Sequence, residues 1–393
     1  MKSLELFAGA GGLGMGLHGA GFHPAGVIER DADCCETIRE NKKSGAIAMR
    51  NWKLVDSDVR EVNFTAFADK LDLVSGGPPC QPFSLGGKHR AHEDSRDMFP
   101  QAVRAVREIR PSAFIFENVK GLTRESFANY FEYIRLQLKH PELIARNDET
   151  WPDHYARLER YETSNRREGL HYRVITQVLN AADYGVPQKR YRVFFVGFRD
   201  DLGIEWNFPK PTHSREALLW DQSSKGTYWD RNRVSKSSRF YAMRDAQLDS
   251  DLLFAPPTQP WKTVRDAISD LPHPETSKTA TSLFTSHKFQ PGARIYPGHT
   301  GSPLDEPAKA LKAGVHGVPG GENMLVNSNG SVRYFSVREA ARLQTFPDDF
   351  LFTGSWSETM RQLGNAVPVD LARVVGASVL DQLNSSRRIG RLQ

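Results

Sequence analysis

From residue 1 to about residue 200, short apolar runs alternate with amphipathic stretches. That is the pattern of a parallel sheet with helices packed on both faces. The runs that read as strands are Ser3 to Phe7, Ala25 to Glu29, Trp52 to Asp56, Leu71 to Ser75, Ala113 to Phe116, Tyr172 to Leu179 and Arg192 to Phe198. Between them, Ala32 to Asn41 and Met98 to Arg110 carry helical spacing, and Pro111 stops the second because it lacks the N–H that a continuing helix needs. The expectation is a doubly wound, mostly parallel α/β domain over residues 1–198. Leu122 to Arg167 is polar, aromatic and charged, and longer than a crossover requires, so it reads as an inserted helical excursion. After Phe198, Pro, Ser, Thr, Trp and basic residues dominate to about residue 330 and periodicity fades. A second, smaller, irregular domain is expected over 199–355. Helical spacing returns from Trp356 onward (VDLARVVGASVLDQL), and the segment 356–393 is expected to pack back on the first domain.

Composition narrows this little. With 39% hydrophobic and 25% charged residues the chain is ordinary for a globular protein, which excludes a fibrous or largely disordered one. No run of eighteen apolar residues is evident, and MKSLELFAGAGG enters a glycine-rich strand too early for a secretory signal. A cytoplasmic protein without a membrane partner is therefore expected. Three cysteines, Cys34, Cys35 and Cys80, build neither a disulfide framework nor a metal set, so no metal is expected. A formal charge of +5 permits a polyanionic partner. Arg231, Arg233, Lys236, Arg239 and Arg244, interleaved with Phe240 and Tyr241, suit phosphate contact and stacking, and suit a solvated basic loop equally well.

Three places carry chemistry. The first strand runs into FAGAGGLGMGL, where Gly9, Gly11 and Gly14 satisfy the G-x-G-x-x-G spacing of a ligand-approaching turn. Glu29, at the end of the second strand, suits ribose hydroxyls of either a nicotinamide or an adenosyl cofactor, and Asp58 suits an adenine amino group. The fourth strand ends in GGPPCQPFSLGGK. Its glycines turn the backbone, its prolines stiffen it, and Cys80 stands just past the C-terminal end of a strand, where open α/β sheets do chemistry. That favours a nucleophile, whereas Cys34 and Cys35 lie in a helical pattern and read as packing residues. The fifth strand, AFIFENV, brings Glu117 and Asn118 to the same edge, and a carboxyl after three apolar residues is poorly solvated, as a general acid must be.

With these residues in order, the chain resembles the DNA (cytosine-5) methyltransferase family of the bacterial restriction-modification type. Phe7 to Gly12, Glu29, Asp58, Gly77 to Pro82, Glu117 to Val119, Gln188 to Arg192, Arg338 to Pro347 and Gly364 to Pro368 match the family's motifs from end to end. The resemblance implies S-adenosyl-L-methionine as cofactor on a Rossmann-like methyltransferase fold, with a target-recognition domain between the motifs. It assigns Phe7, Ala8, Gly9, Gly11, Gly12 and Leu13 to the methionine and adenine surroundings, Glu29 with Arg30 beside it to the ribose, and Asp58 and Val59 to the adenine. Pro78, Asn365 and Val367 complete that pocket. It makes Cys80 the thiolate that adds to carbon 6 of a cytosine rotated out of double-stranded DNA, and Glu117 the acid at ring nitrogen 3. It places Arg192 at the base's carbonyl oxygen, with Arg190 supporting the loop or a phosphate. The stretch Gln81 to Phe99 is similar to the family's closing loop, with Gln81 and Ser84 against DNA. A monomer is expected.

Two departures stand out. Ala310-Leu311 occupies the place of the family's Thr-Leu or Thr-Val, and Gly86 the place where some members insert a side chain into the vacated duplex. Three rivals stay open. A nicotinamide-dependent oxidoreductase would use the glycine turn and Glu29 but give Pro-Pro-Cys-Gln no task. A silent DNA-binding relative would not need Cys80, Glu117 and Arg192. A tRNA methyltransferase on the same scaffold would share all of them.

Overall fold

A computed structural model describes residues 1–45, 49–79, 97–164, 168–223, 226–237, 239, 254–276, 283–295, 297, 300–314, 321–327 and 329–390. Cys80, Gln81, Ser84 and Gly86 lie outside the described residues, as do Phe240, Tyr241 and Arg244.

Every strand expected from the apolar runs is present. β1 (Lys2–Leu6), β2 (His23–Glu29), β3 (Leu54–Asp56), β4 (Leu73–Gly76), β5 (Ala113–Val119), β6 (Tyr172–Asn180) and β8 (Tyr191–Arg199) form one sheet in the order β3-β2-β1-β4-β5-β8-β6. The short β7 (Gln188–Lys189) lies outside it and pairs with Ala308–Lys309. β1 to β5 are mutually parallel, and β8 runs antiparallel to both β5 and β6. The strand order reverses between β1 and β4, and open α/β sheets bind their ligands beyond the strand ends at such a switch point. All seven differ from the expected bounds by one to three residues, and the shifts of β3 and β5 have a visible cause. β3 starts at Leu54 because Trp52 turns into the core, its N–H bonded to the Met49 carbonyl. β5 continues through Glu117, Asn118 and Val119 because they pair with Phe194, Val193 and Arg192 of β8.

Helices cover both faces. α1 (Gly12–Ala20) follows β1, α2 (Ala32–Ser44) follows β2 with Asp31 capping its first turn, and α3 (Phe99–Ile109) packs beside β4. The excursion after β5 forms α4 (Ala128–Lys139) and α5 (Trp151–Thr163). Their aromatic residues Tyr130, Tyr133, Phe131 and Trp151 join the core on the face of Phe195, so this insertion shields the sheet from water.

The C-terminal helix Val369–Gly390 lies on α1. The contact is close: a Cβ on Gly16 would stand 2.4 Å from the Ala372 Cβ, so only glycine lets the two backbones approach. Trp356–Arg388 holds the one window among the described residues long and apolar enough to span a membrane, and 56% of it is buried, as in a core helix.

The region after β8 is irregular. It contains short helices at Arg215–Gln222, Tyr228–Arg231 and Val264–Ile268, a three-stranded sheet of Ser302–Pro303, Met324–Val326 and Val332–Tyr334, and a small core of Leu218, Tyr228, Trp229 and Val234. Residues Phe335 to Leu363 bury Val337, Leu343, Phe346 and Phe350 in a cluster with Ala8, Met15, Ile38, Met49 and Trp52.

Candidate active site

The turn after β1 is built from left-handed residues: Phe7, Gly9 and Gly11 have φ of 55°, 55° and 88°. Phe7 is a rare non-glycine in this region, a strain that folds hold where function needs it. The glycines differ in purpose. A Cβ on Gly9 would meet nothing within 4 Å, so that backbone faces open space. On Gly11 it would strike Met49 and Trp52, and on Gly12 the Val367 carbonyl at 2.4 Å. On Gly14 it would lie 1.8 Å from the Glu5 carboxylate.

Glu5 is the residue that sequence reading missed. It sits in the middle of β1, 2% exposed, and its Oε1 accepts the Gly14 N–H at 2.9 Å. Its Oε2 is buried with no hydrogen-bond partner among the described residues. Burial pushes the carboxyl up to about 8, the Gly14 N–H opposes this, and the nearby charge of Glu29 adds to it. The available signal was an acidic residue inside the apolar run SLELF.

Glu29 ends β2 and turns back to the glycine loop. Its Oε2 accepts the Gly9 N–H at 2.7 Å, and its Oε1 accepts those of Arg30 and Asp31 at 2.8 and 2.7 Å. Asp58 lies beyond β3 with its acceptor positions taken. Oδ1 receives the backbone N–H and Nε of Arg60 at 2.9 and 3.0 Å, and Oδ2 receives Arg30 at 2.8 Å and Arg60 at 2.6 Å. The bonds from Arg60, with help from Arg30, hold its carboxyl well below the usual range despite partial desolvation. Leu13, Val59, Pro78 and Val367 are buried around this edge, and Asn365 is exposed at the end of the helix Trp356–Asn365.

One strand pair away, Glu117 is 6% exposed. Arg192 Nε stands 2.6 Å from its Oε1, an ion pair between two buried side chains. Oε2 faces Gly77, whose hypothetical Cβ would be 3.2 Å away. Burial raises the Glu117 carboxyl, and the charges of Arg192 and Arg190 oppose that rise. Asn118 Nδ2 donates to the Pro78 carbonyl at 2.9 Å. The acid and the Pro-Pro turn that leads into Cys80 are therefore fixed to each other, although Cys80 itself lies outside the described residues.

Arg190 is 1% exposed and donates to three carbonyls: Leu311 at 2.9 Å, Gly364 at 2.5 Å and Ala366 at 2.9 Å. It ties together β8, the region after it and the Gly-Asn-Ala-Val-Pro segment. Leu311, in the Ala-Leu pair that departs from the family pattern, enters this network through its backbone. Cys34 and Cys35 are buried, and burial pushes the Cys35 thiol up to about 12, the state of an inert packing residue.

The basic cluster divides. Arg231 is paired with Asp221 at 2.9 Å and Arg239 with Asp230 at 2.6 Å. Among the described residues no ion pair holds Arg233 or Lys236, which are exposed.

The sequence profile described as C-5 cytosine-specific DNA methylase matches residues 1–141 and 152–381. The Type II methyltransferase M.PspPI of Psychrobacter sp. (strain TA137) is 32% identical over 386 residues, 98% of this chain and 80% of that protein. M.Eco47II of Escherichia coli, also a Type II methyltransferase, is 32% identical over 392 residues, 97% of this chain and 80% of that protein. Among solved structures, the S. pombe Dnmt2 methyltransferase superposes with a TM-score of 0.55 at 16% identity, over 98% of this chain and 99% of that one, a likeness of fold.

Proposed function

The chain belongs to the C-5 cytosine-specific DNA methylase family and is a DNA (cytosine-5) methyltransferase, and we propose that S-adenosyl-L-methionine is its methyl donor, duplex DNA its substrate and Cys80 its nucleophile.

Two carboxyl groups support the donor. A pyrophosphate at a glycine turn needs free N–H groups at the start of the helix. Here the Gly9 N–H is taken by Glu29 and the Gly14 N–H by Glu5, so an anionic group would meet two carboxyls. A positively charged ligand fits where a nicotinamide dinucleotide does not. When bound, S-adenosyl-L-methionine supplies a methyl group made electrophilic by a cationic sulfur. Gly9 leaves open space for it, Glu29 Oε2 keeps a lone pair for a ribose hydroxyl, and Asp58 would receive the adenine amino group in exchange for one of its arginines. Phe7, Ala8, Gly11, Gly12, Leu13, Val59, Pro78, Asn365 and Val367 would line the rest.

The observation that carries the mechanism is the pairing of Glu117 against Gly77 with Asn118 on Pro78. In it the Cys80 thiolate forms a bond to carbon 6 of the flipped cytosine, the Glu117 proton passes to nitrogen 3, and carbon 5 gains the electron pair that takes the methyl group. Arg192 holds the base carbonyl. A water removes the hydrogen from carbon 5, the bond to Cys80 breaks, and the proton on nitrogen 3 returns to Glu117. Arg190 acts one step back, positioning Arg192 and the Asn365–Val367 segment.

Residues 199–355 would form the target-reading unit, with Gln81 and Ser84 of the closing loop and Arg233 and Lys236 on phosphates. Arg231 and Arg239 would shape that unit through their ion pairs. A monomer acting in the cytoplasm within a restriction-modification pair completes the reading. The test is incubation of the pure protein with labelled S-adenosyl-L-methionine and either unmethylated duplex DNA or tRNA, followed by bisulfite sequencing. Label in DNA at one recurring sequence is expected; label in tRNA alone would overturn the reading.

A further inference from the structure

We propose that Lys120 and Tyr191 form a preset phosphate clamp on the rim of the active site, gripping the DNA backbone beside the extruded cytosine. The inference rests on the methyltransferase reading above and adds to it a pair that no motif assigns to DNA.

The position follows from strand register. Val119 pairs with Arg192 across β5 and β8, and Glu117 lies opposite Phe194. Lys120 leaves β5 and Tyr191 enters β8, so both stand one step outward from the Glu117–Arg192 pair. Their side chains meet there, with the Lys120 ammonium 4.5 Å from the centre of the Tyr191 ring.

Charge and exposure say what the pair is for. Tyr191 is 43% exposed and the adjoining Val119 39%, so the rim shows water an aromatic and an aliphatic face side by side. Three neighbouring cations are occupied: Arg192 by Glu117, Lys189 by Glu306, and Arg190 by three backbone carbonyls. Among the described residues no carboxylate pairs with Lys120. A ring covers one side of an ammonium and leaves its remaining N–H donors to solvent, where they suit a compact anion. Swinging a nucleotide out of the stack carries its own phosphates across the pocket mouth, and these are the anions that a duplex brings to this edge. Because the ring already holds the lysine, binding a phosphate costs less side-chain entropy than an unrestrained lysine would pay.

Full-length wild type, K120A, K120R, Y191A and Y191F are titrated with fluorescent duplex DNA containing the methylated sequence, and with an unrelated duplex, over a series of salt concentrations. K120A is expected to weaken the duplex with the methylated sequence roughly threefold to tenfold near 0.1 M salt and to lower its log–log salt slope by about one, while the unrelated duplex, which extrudes no cytosine, changes far less. K120R restores affinity and slope because guanidinium also stacks on the ring. Y191F behaves as wild type because the interaction needs the ring and not the hydroxyl, and Y191A falls between wild type and K120A. An unchanged slope on the methylated sequence in K120A, or an equal loss on both duplexes, overturns the proposal. Wild type that methylates no DNA would instead remove the reading beneath it.

Discussion

Asn118 donates its Nδ2 hydrogen to the Pro78 carbonyl at 2.9 Å, binding the end of β5 to the turn that leads into Cys80. Its Oδ1 is held in turn by the Val119 N–H at 2.8 Å, so the amide has one orientation. Asn118→Ala would leave a buried carbonyl without a donor, which costs about 1–3 kcal/mol. The expected outcome is a single-turnover methylation rate lowered roughly tenfold to a hundredfold, on the scale of that cost, with the donor's Kd changed far less. Rapid-quench kinetics at saturating donor check this, and an unchanged rate would detach the amide from the chemistry.

Glu117→Gln removes the proton donor while keeping its shape. General acids contribute roughly 10²- to 10⁴-fold, and a loss in that range is expected for the single-turnover rate. The sign of the pH effect follows from the raised carboxyl: burial keeps Glu117 protonated to higher pH than usual, and the rate falls as pH rises past that point. The profile of Glu117→Gln should lack this falling limb. A retained limb assigns it to another group.

Glu5 gives a proton-linkage test. Its folded carboxyl, near 8, lies above the ordinary carboxylate range of an unfolded chain. Between those values the folded state holds a proton that the unfolded state has lost, so this contribution to stability is full at low pH and disappears as pH rises through about 8. A cationic donor bound nearby favours the ionised form and should release that proton. Calorimetry of donor binding near pH 7, in buffers of different ionisation enthalpy, should show proton release in wild type and none in Glu5→Gln, whose amide oxygen still accepts the Gly14 N–H. Equal release in both would take Glu5 out of the pocket.

Arg190→Ala would strand three carbonyls, those of Leu311, Gly364 and Ala366. A destabilisation of about 3–5 kcal/mol is expected, from the cost of leaving several buried groups unpaired. Urea unfolding measures it. A midpoint equal to that of wild type would show that other contacts hold the three segments together.

The sheet was legible because its strands are apolar runs between turn residues, and the C-terminal helix because its spacing is regular. The apolar run marks β5 only as far as Phe116, and Glu117, Asn118 and Val119 are held in the strand by the partner that β8 supplies. Glu5 was invisible for a similar reason: a carboxyl in a buried strand has a use only once the Gly14 N–H is seen beneath it. Alternation along Gln188 to Arg192 puts Arg190 and Arg192 on one side, yet the carbonyls that Arg190 serves lie 121 to 176 residues further on. The basic cluster was read from local composition, whereas Asp221, which holds Arg231, comes from the preceding helix. Asp58 suited an adenine by type and place, and its two arginine partners emerge only in three dimensions.

The most direct test uses a duplex in which 5-fluorocytosine replaces the target base, so that carbon 5 cannot lose a proton and the bond to sulfur cannot break. With S-adenosyl-L-methionine present, the wild-type chain should form a DNA adduct that survives denaturation, and peptide mass mapping should place it on Cys80. Cys80→Ala should bind the same duplex and form none. Adduct formation or methyl transfer persisting in Cys80→Ala would contradict the account.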